Sequence, residues 1–213
     1  MSRDVELHRV VQLSLPGARL KLTPIADTGL QLWLLDADSI NLAQASSALT
    51  ESPPYWSIAW PAGVALAQLI TRQPQWVNGK RVLDFGSGSG LVALAAACAG
   101  AVQVVACDID PGARRACALN AEVNDCSLSV CAQVPTDAVW DLIVVTDVLY
   151  DVLNVPEVQS LVTRSPAALV ADCRFRRAPG PDFTLWREMP GTMIPDFNDA
   201  QFASVSFWVR GCY

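Results

Sequence analysis

Histidine is almost missing from this 213-residue chain: His8 is the only one, in a polar N-terminal stretch. A mechanism built on an imidazole base, or a metal site with several histidine ligands, would rest on that one residue. Ser-His-Asp hydrolysis and histidine-ligated zinc chemistry are disfavoured, and no metal site is expected. Basic residues are also in the minority, with 15 Lys+Arg against 21 Asp+Glu for a formal charge of -6. Such a balance repels a polyanion, so no nucleic-acid partner is expected. The seven cysteines (98, 107, 117, 126, 131, 173 and 212) contain no CxxC pair. Several lie in apolar runs, where free cysteine behaves as a small hydrophobe, and they read as reduced core residues. The N-terminus MSRDVELHRVVQLSL lacks a basic head followed by a long apolar core, so no secretory signal is expected. The longest apolar stretch, Leu91 to Cys107, contains Gly100 and Gln103 and follows GSGSG directly. It reads as a helix, a turn and a buried strand rather than a membrane span. The expectation is a soluble, cytoplasmic protein.

What is present is a core-forming sequence: 52% of residues are hydrophobic, too many for a disordered chain. Composition changes near Pro53-Pro54. Before it, VVQLSL, ARLKLTPI and LQLWLLDA are short β-favouring runs that predict a small antiparallel meander over residues 1–52. Residues 53–213 form the main domain, in which helices and strands alternate. The pattern predicts helices at 61–71, 90–99, 111–124 and near 155–164, and strands at 81–85, 102–107, 128–132, 141–146 and 167–171. A weak proline-rich segment follows, then an alternating run at 202–209. This series predicts an open, Rossmann-like α/β sheet with helices on both faces. Ligands of such sheets bind beyond the carboxyl ends of the strands, near the topological switch point.

Val82-Leu83-Asp84-Phe85-Gly86-Ser87-Gly88-Ser89-Gly90 joins a strand to a helix through three glycines on alternate positions. Glycine permits a tight turn and close backbone approach, and the helix N-terminus offers unpaired N–H groups. A dinucleotide fingerprint needs G-x-G-x-x-G, but the third glycine position holds Leu91. Asp84 would repel a pyrophosphate and attract a cation. S-adenosylmethionine carries no phosphate: its ammonium suits Asp84, and its carboxylate suits the loop amides. Asp108, 24 residues after Asp84, ends the next strand, where a carboxylate commonly accepts from ribose hydroxyls. The plainer alternative is that Asp84 caps the loop and Asp108 opens a turn before Pro111.

Two further segments bear on function. In Tyr55-Trp56-Ser57-Ile58-Ala59-Trp60-Pro61, Trp60 either lies across an adenosylmethionine, shapes the mouth of the site, or packs the meander on the core. In Thr146-Asp147-Val148-Leu149-Tyr150-Asp151, an acid and a phenol three apart emerge from a buried strand and face whatever fills the cleft. The alternative there is a helix N-cap by Asp147 with Tyr150 packed.

Together YWSIAWP, VLDFGSGSGLVALAAA, ACDIDPGARRACALNAEVN, WDLIVVTDVLYD and ALVADCRF resemble the class I, seven-strand methyltransferases. The resemblance is to the protein-lysine methyltransferase group that includes the methyltransferase of the electron-transfer-flavoprotein β-subunit. It runs from about Pro54 to Arg174. It implies a seven-strand, mostly parallel sheet with an antiparallel C-terminal strand, and S-adenosyl-L-methionine as cofactor. It also implies Trp60, Asp84, Gly86, Ser87, Gly88, Gly90, Asp108, Ile109 and Asp147 at the cofactor, and Asp147 and Tyr150 at the substrate nitrogen. Gln133 is the nearest candidate for the adenine contact. The implied reaction is methyl transfer to a lysine of a protein substrate, and it needs no histidine. A lysine with an ordinary pKa costs about 4.6 kcal/mol to deprotonate at pH 7, which a low-dielectric pocket would reduce. Holding both reactants in line supplies roughly 7 to 11 kcal/mol. Asp172-Cys173-Arg174 departs from the family's pattern after the fifth strand. A small amine or a ribosomal protein as acceptor, a non-catalytic adenosylmethionine-binding module, and a nicotinamide-dependent dehydrogenase are the rival readings.

Overall fold

The computed structural model describes residues 3–39, 54–197 and 199–211. The chain opens with helix α1 (Arg3–Ser14), which buries Leu7 and Val11, with Leu15 buried just beyond it. Spacing by four places these side chains on one helix face. VVQLSL is therefore mostly helix, a correction to the expected first strand of the meander. The Val10-Val11 pair favours a strand locally, but the apolar period from Leu7 onward is helical. Strands β1 (Leu20–Pro24) and β2 (Gln31–Leu35) do form the small antiparallel sheet. The expected division at residue 52 lies outside the described residues.

The main domain then proceeds through α2 (Pro61–Arg72), β3 (Arg81–Phe85), α3 (Leu91–Cys98), β4 (Gln103–Cys107), α4 (Pro111–Val123), β5 (Ser129–Cys131), β6 (Leu142–Thr146), α5 (Val155–Val162) and β7 (Ala168–Asp172). Proline opens α2 and α4 at the first turn, where its missing N–H has no intrahelical partner to lose. Asp110 caps α4 by accepting from Gly112 N at 2.7 Å. Strands β6 and β7 are buried at every position, as their unbroken apolar sequence requires between two helical layers.

Two strands complete the sheet, β8 (Thr184–Pro190) and β9 (Ser204–Arg210), in the order β5-β4-β3-β6-β7-β9-β8. β9 runs antiparallel to both neighbours and the other pairings are parallel, giving the expected Rossmann-like sheet. β8 was not anticipated, because as an edge strand it is largely exposed and lacks apolar alternation. Sheet growth reverses at β3, with β4 and β5 on one side and β6 and β7 on the other. The crevice therefore opens at the carboxyl ends of β3 and β6. Cys107, Cys117 and Cys173 are buried and Cys98 is exposed; the six described cysteines are unbridged, and Cys212 lies outside the described residues. Among the described residues, no helix is long and apolar enough to cross a membrane.

The N-terminal hairpin is docked by two asparagines of α4. Trp33 N donates to Asn120 Oδ1 (2.8 Å), and Gln31 N donates to Asn124 Oδ1 (2.9 Å). Asn124 Nδ2 returns a bond to Gln31 O at 2.7 Å. Helix side chains thus stand in for a neighbouring strand on the free edge of β2. Asn120 is fully buried and also donates to Ser89 O at 2.9 Å, so it ties the hairpin to the glycine loop. Asn120→Leu should cost about 2–3 kcal/mol by leaving two backbone groups unpaired. The midpoint of thermal unfolding should drop by roughly 4–12 °C; an unchanged midpoint would show that the bridge does not hold the two parts together.

Candidate functional site

Residues from the carboxyl ends of β3, β4, β5, β6 and β7 and from the start of α2 line one cavity of about 880 Å3. The glycine loop after β3 forms one wall. Gly86 has φ +74°, and a Cβ there would come within 2.4 Å of Val148 Cγ2, so the loop can approach the segment after β6 only without a side chain. Gly90 has φ +85°, and its Cβ would meet Cys117 Sγ at 2.5 Å, so α3 can pack on α4 only through glycine. Asp108 joins the loop to the next strand: Oδ2 accepts from Gly88 N at 2.8 Å and Oδ1 from Asp110 N at 2.9 Å. Burial pushes its carboxyl pKa up, against the pull of those two amides.

Asp84 lies behind this wall, 1% exposed. Its Oδ2 accepts from Ala93 N in the first turn of α3 at 3.0 Å, while Oδ1 has no partner. Desolvation raises its pKa to about 7, with the Ala93 amide opposing and the Asp108 charge adding to the rise. The capping alternative thus describes half of the Asp84 carboxylate. Ser87 Oγ is likewise buried and unpartnered.

The segment after β6 lines the same cavity. Asp147 has φ +52°, unusual for a residue with a side chain. That conformation turns its carboxylate onto the N-terminus of α2, where Oδ2 accepts from Ala62 N (2.8 Å) and Gly63 N (3.2 Å). Oδ1 accepts from Cys173 Sγ at 3.4 Å. Desolvation lifts its pKa to about 7, helped by Asp172 and opposed by these donors. Asp147 therefore caps a helix, as the alternative reading had it, but caps α2, far back in the chain, rather than the helix it precedes. Tyr150 is 43% exposed rather than packed away.

Of the candidate residues, Trp60, Gly86, Ser87, Gly88, Asp108, Ile109, Gln133, Asp147 and Tyr150 share the cavity wall; Asp84 and Gly90 stand behind it. Ile109 is 88% exposed, an apolar side chain with nothing packed over it. His8 is elsewhere, its Nε2 3.1 Å from Leu20 O beside the hairpin. Sequence reasoning passed over Arg174, Tyr55 and Phe202. Arg174 follows β7 at the sheet's carboxyl edge, a position that the switch-point rule alone would have flagged.

The sheet order, its single antiparallel strand and a cleft at the carboxyl edge define the class I, seven-strand methyltransferase fold. The same fold is found in the T. Thermophilus 16S rRNA N2 G1207 methyltransferase, solved in complex with AdoMet and guanosine. Their superposition has a TM-score of 0.58 over 94% of this chain and 51% of that one, at 17% identity. In sequence, residues 66–169 match the family model of ribosomal protein L11 methyltransferase (PrmA). That range contains the glycine loop, Asp108 and Asp147–Tyr150. The chain is 43% identical over 105 residues to the electron transfer flavoprotein beta subunit lysine methyltransferase of Homo sapiens, covering 47% of this chain and 40% of the relative. It is 40% identical over 98 residues to the ribosomal protein L11 methyltransferase of Photobacterium profundum, covering 41% and 33%. The chain thus spans about 40% of the length of the human relative.

Asp84 and Asp147 make stability depend on pH in a defined direction. Each folded-state pKa lies above the unfolded value, so each group favours the fold fully below about pH 4 and loses that contribution as pH rises through about 7. Between pH 5 and 8 the unfolding free energy should fall by on the order of 1–3 kcal/mol per carboxyl. Denaturant titrations of the wild type and Asp84→Asn check this: the variant should show a shallower slope, and equal slopes would show that Asp84 does not titrate there.

Proposed function

We propose that the chain is an S-adenosyl-L-methionine-dependent N-methyltransferase whose acceptor is a lysine side chain of a protein. One observation carries this reading: the glycine loop braced by Asp108 and the Asp147–Tyr150 segment line one cavity at the carboxyl edge of the sheet, with no histidine in its wall.

The residues fit the cofactor. Ser87 Oγ in the cavity wall and Asp84 Oδ1 behind it are buried and unpartnered, and a ligand ammonium would satisfy them through bridging water. Asp108 takes one amide on each oxygen and keeps lone pairs for ribose hydroxyls. Ile109, with Ala132, Gln133 and Val134, offers an apolar surface and an amide to a flat base. A pyrophosphate would instead meet Asp108, Asp110 and Asp147 in the wall, which disfavours a dinucleotide. When bound, the cofactor supplies a methyl group activated by a sulfonium.

The chain's own work is positioning. Asp147 is fixed by two amides and a thiol, so it presents an acceptor of set direction to an incoming amine. Even with its pKa raised to about 7 it is a far weaker base than an amine, and we assign it orientation of the amine rather than removal of its proton. Tyr150 lines the approach to that acid. The -6 charge suits a cationic partner and argues against nucleic acid. Unbridged cysteines suit a reducing compartment, and we place the protein in the cytoplasm. The relative named for lysine methylation favours a lysine acceptor. The match to the L11 methyltransferase family model favours a second acceptor, a ribosomal protein, for the same reaction.

Incubation with methyl-labelled adenosylmethionine and fractionated cell extract, followed by mass spectrometry, should find label on lysine ε-nitrogens of one protein. Label on a ribosomal protein would select the second reading, and binding without any transfer would reject both. Asp147→Ala should lower kcat by roughly a hundredfold and leave the affinity for adenosylmethionine within about threefold. Parallel loss of both would make Asp147 purely structural.

A further inference from the structure

The mouth of the cavity holds a cation among aromatic rings. The Arg174 guanidinium carbon lies 4.5 Å from the Tyr150 ring centroid, 5.4 Å from Phe202 and 5.6 Å from Trp60. Trp60 and Phe202 meet edge to face at 5.6 Å, and Tyr55 adds a fourth ring, 5.9 Å from Trp60 and 6.0 Å from Tyr150. The rings come from separate places in the chain: Trp60 precedes α2, Tyr150 follows β6, and Phe202 lies in the turn before β9. The backbone under Arg174 is fixed, since Arg174 N donates to Asp172 Oδ1 at 2.8 Å. Among the described residues, no carboxylate forms an ion pair with its guanidinium. Among the described residues, this charge rests against these rings at the mouth of the cavity, and Arg174 is exposed.

We propose that Trp60, Tyr150 and Phe202 form the binding site for the acceptor's alkylammonium group, and that Arg174 is its resident occupant, displaced when the acceptor enters. The inference rests on the reading of the protein as a nitrogen methyltransferase and names what its acceptor side must recognise. Ring faces attract cations through their quadrupoles, and most strongly those that shed water easily. An alkylated ammonium sheds water more readily than a primary one, so the site favours lysine that already carries methyl groups. Contacts to an exposed guanidinium are individually weak, which lets the arginine swing away without unfolding its surroundings. Trp60, Tyr150 and Arg174 line the same cavity as Asp147, so a cation held on the rings shares that cavity with the orienting carboxylate.

An occupant inside a site weakens every competing ligand by the fraction of time it is bound. The probe is Nα-acetyl-Nε-trimethyllysine methylamide, whose charge is fixed and which cannot accept a further methyl group. Its isostere, with carbon replacing the quaternary nitrogen, is the neutral control. Binding to the intact chain is followed by NMR shifts of the aromatic protons, without cofactor. Arg174→Ala and Arg174→Met should both bind the charged probe about tenfold more tightly than the wild type does. They should prefer it to the neutral isostere by about fivefold, and adding Phe202→Leu to Arg174→Ala should reverse much of the gain. Equal or weaker binding by both arginine variants, or no preference for charge, would overturn the proposal; weaker binding to both probes would make Arg174 an anchor for the acceptor. Calorimetry with adenosylmethionine on the same preparations separates the two readings. Loss of the cofactor alone defeats the methyltransferase reading, whereas failure of the cation result with cofactor binding intact defeats this inference alone.

Discussion

Buried carboxylates that accept backbone N–H groups hold the functional edge of this sheet together. Each of four parallel strands carries, within its last two residues or directly after it, an aspartate used in this way. Asp84 on β3 takes Ala93 N, Asp108 after β4 takes Gly88 N and Asp110 N, and Asp147 after β6 takes Ala62 N and Gly63 N. Asp172 at the end of β7 takes Leu149 N, Arg174 N and Phe175 N. The donors are unpaired amides of loops and helix starts, which carry partial positive charge. Strand ends, loops and helices are thereby locked to one another before any ligand arrives.

That arrangement also sets the chemistry the edge can do. Four acids in a low-dielectric crevice repel one another and anionic ligands, and two of them are pushed to a pKa of about 7. A ligand with ammonium or sulfonium character relieves that repulsion. On the proposed reading the site needs no imidazole: orientation would come from carboxylates fixed by the backbone, and the reactive group would arrive on the cofactor. Around the mouth, the rings of Trp60, Tyr150 and Phe202 already lie against one cation, the Arg174 guanidinium.

Much of this was legible in the amino-acid order because the elements around the site are strongly patterned. The runs at 81–85, 141–146 and 167–171 each hold consecutive apolar residues, and Pro61 and Pro111 mark helix starts, so their ranges came out within a residue or two. The loop glycines and Asp108 stand at motif spacing. Elements with a conflicting or weak apolar signature were missed. α1 was hidden by a valine pair that favours a strand locally, and β8 by its exposed position at the sheet edge. The contact of Asp147 with α2 spans 85 residues of chain and needs a left-handed backbone, neither of which any local pattern encodes. Arg174 and Phe202 meet only because β9 inserts between β7 and β8, a matter of topology.

The central claim is that Asp108 and the glycine loop form a site for a nucleoside with a cationic tail. Isothermal titration of the intact chain with adenosylmethionine and, separately, with a nicotinamide dinucleotide tests it most directly. The account predicts one adenosylmethionine per chain, an affinity weakened about tenfold or more by Asp108→Ala, and no comparable binding of the dinucleotide. Tighter binding of the dinucleotide, or adenosylmethionine binding indifferent to Asp108→Ala, would contradict it.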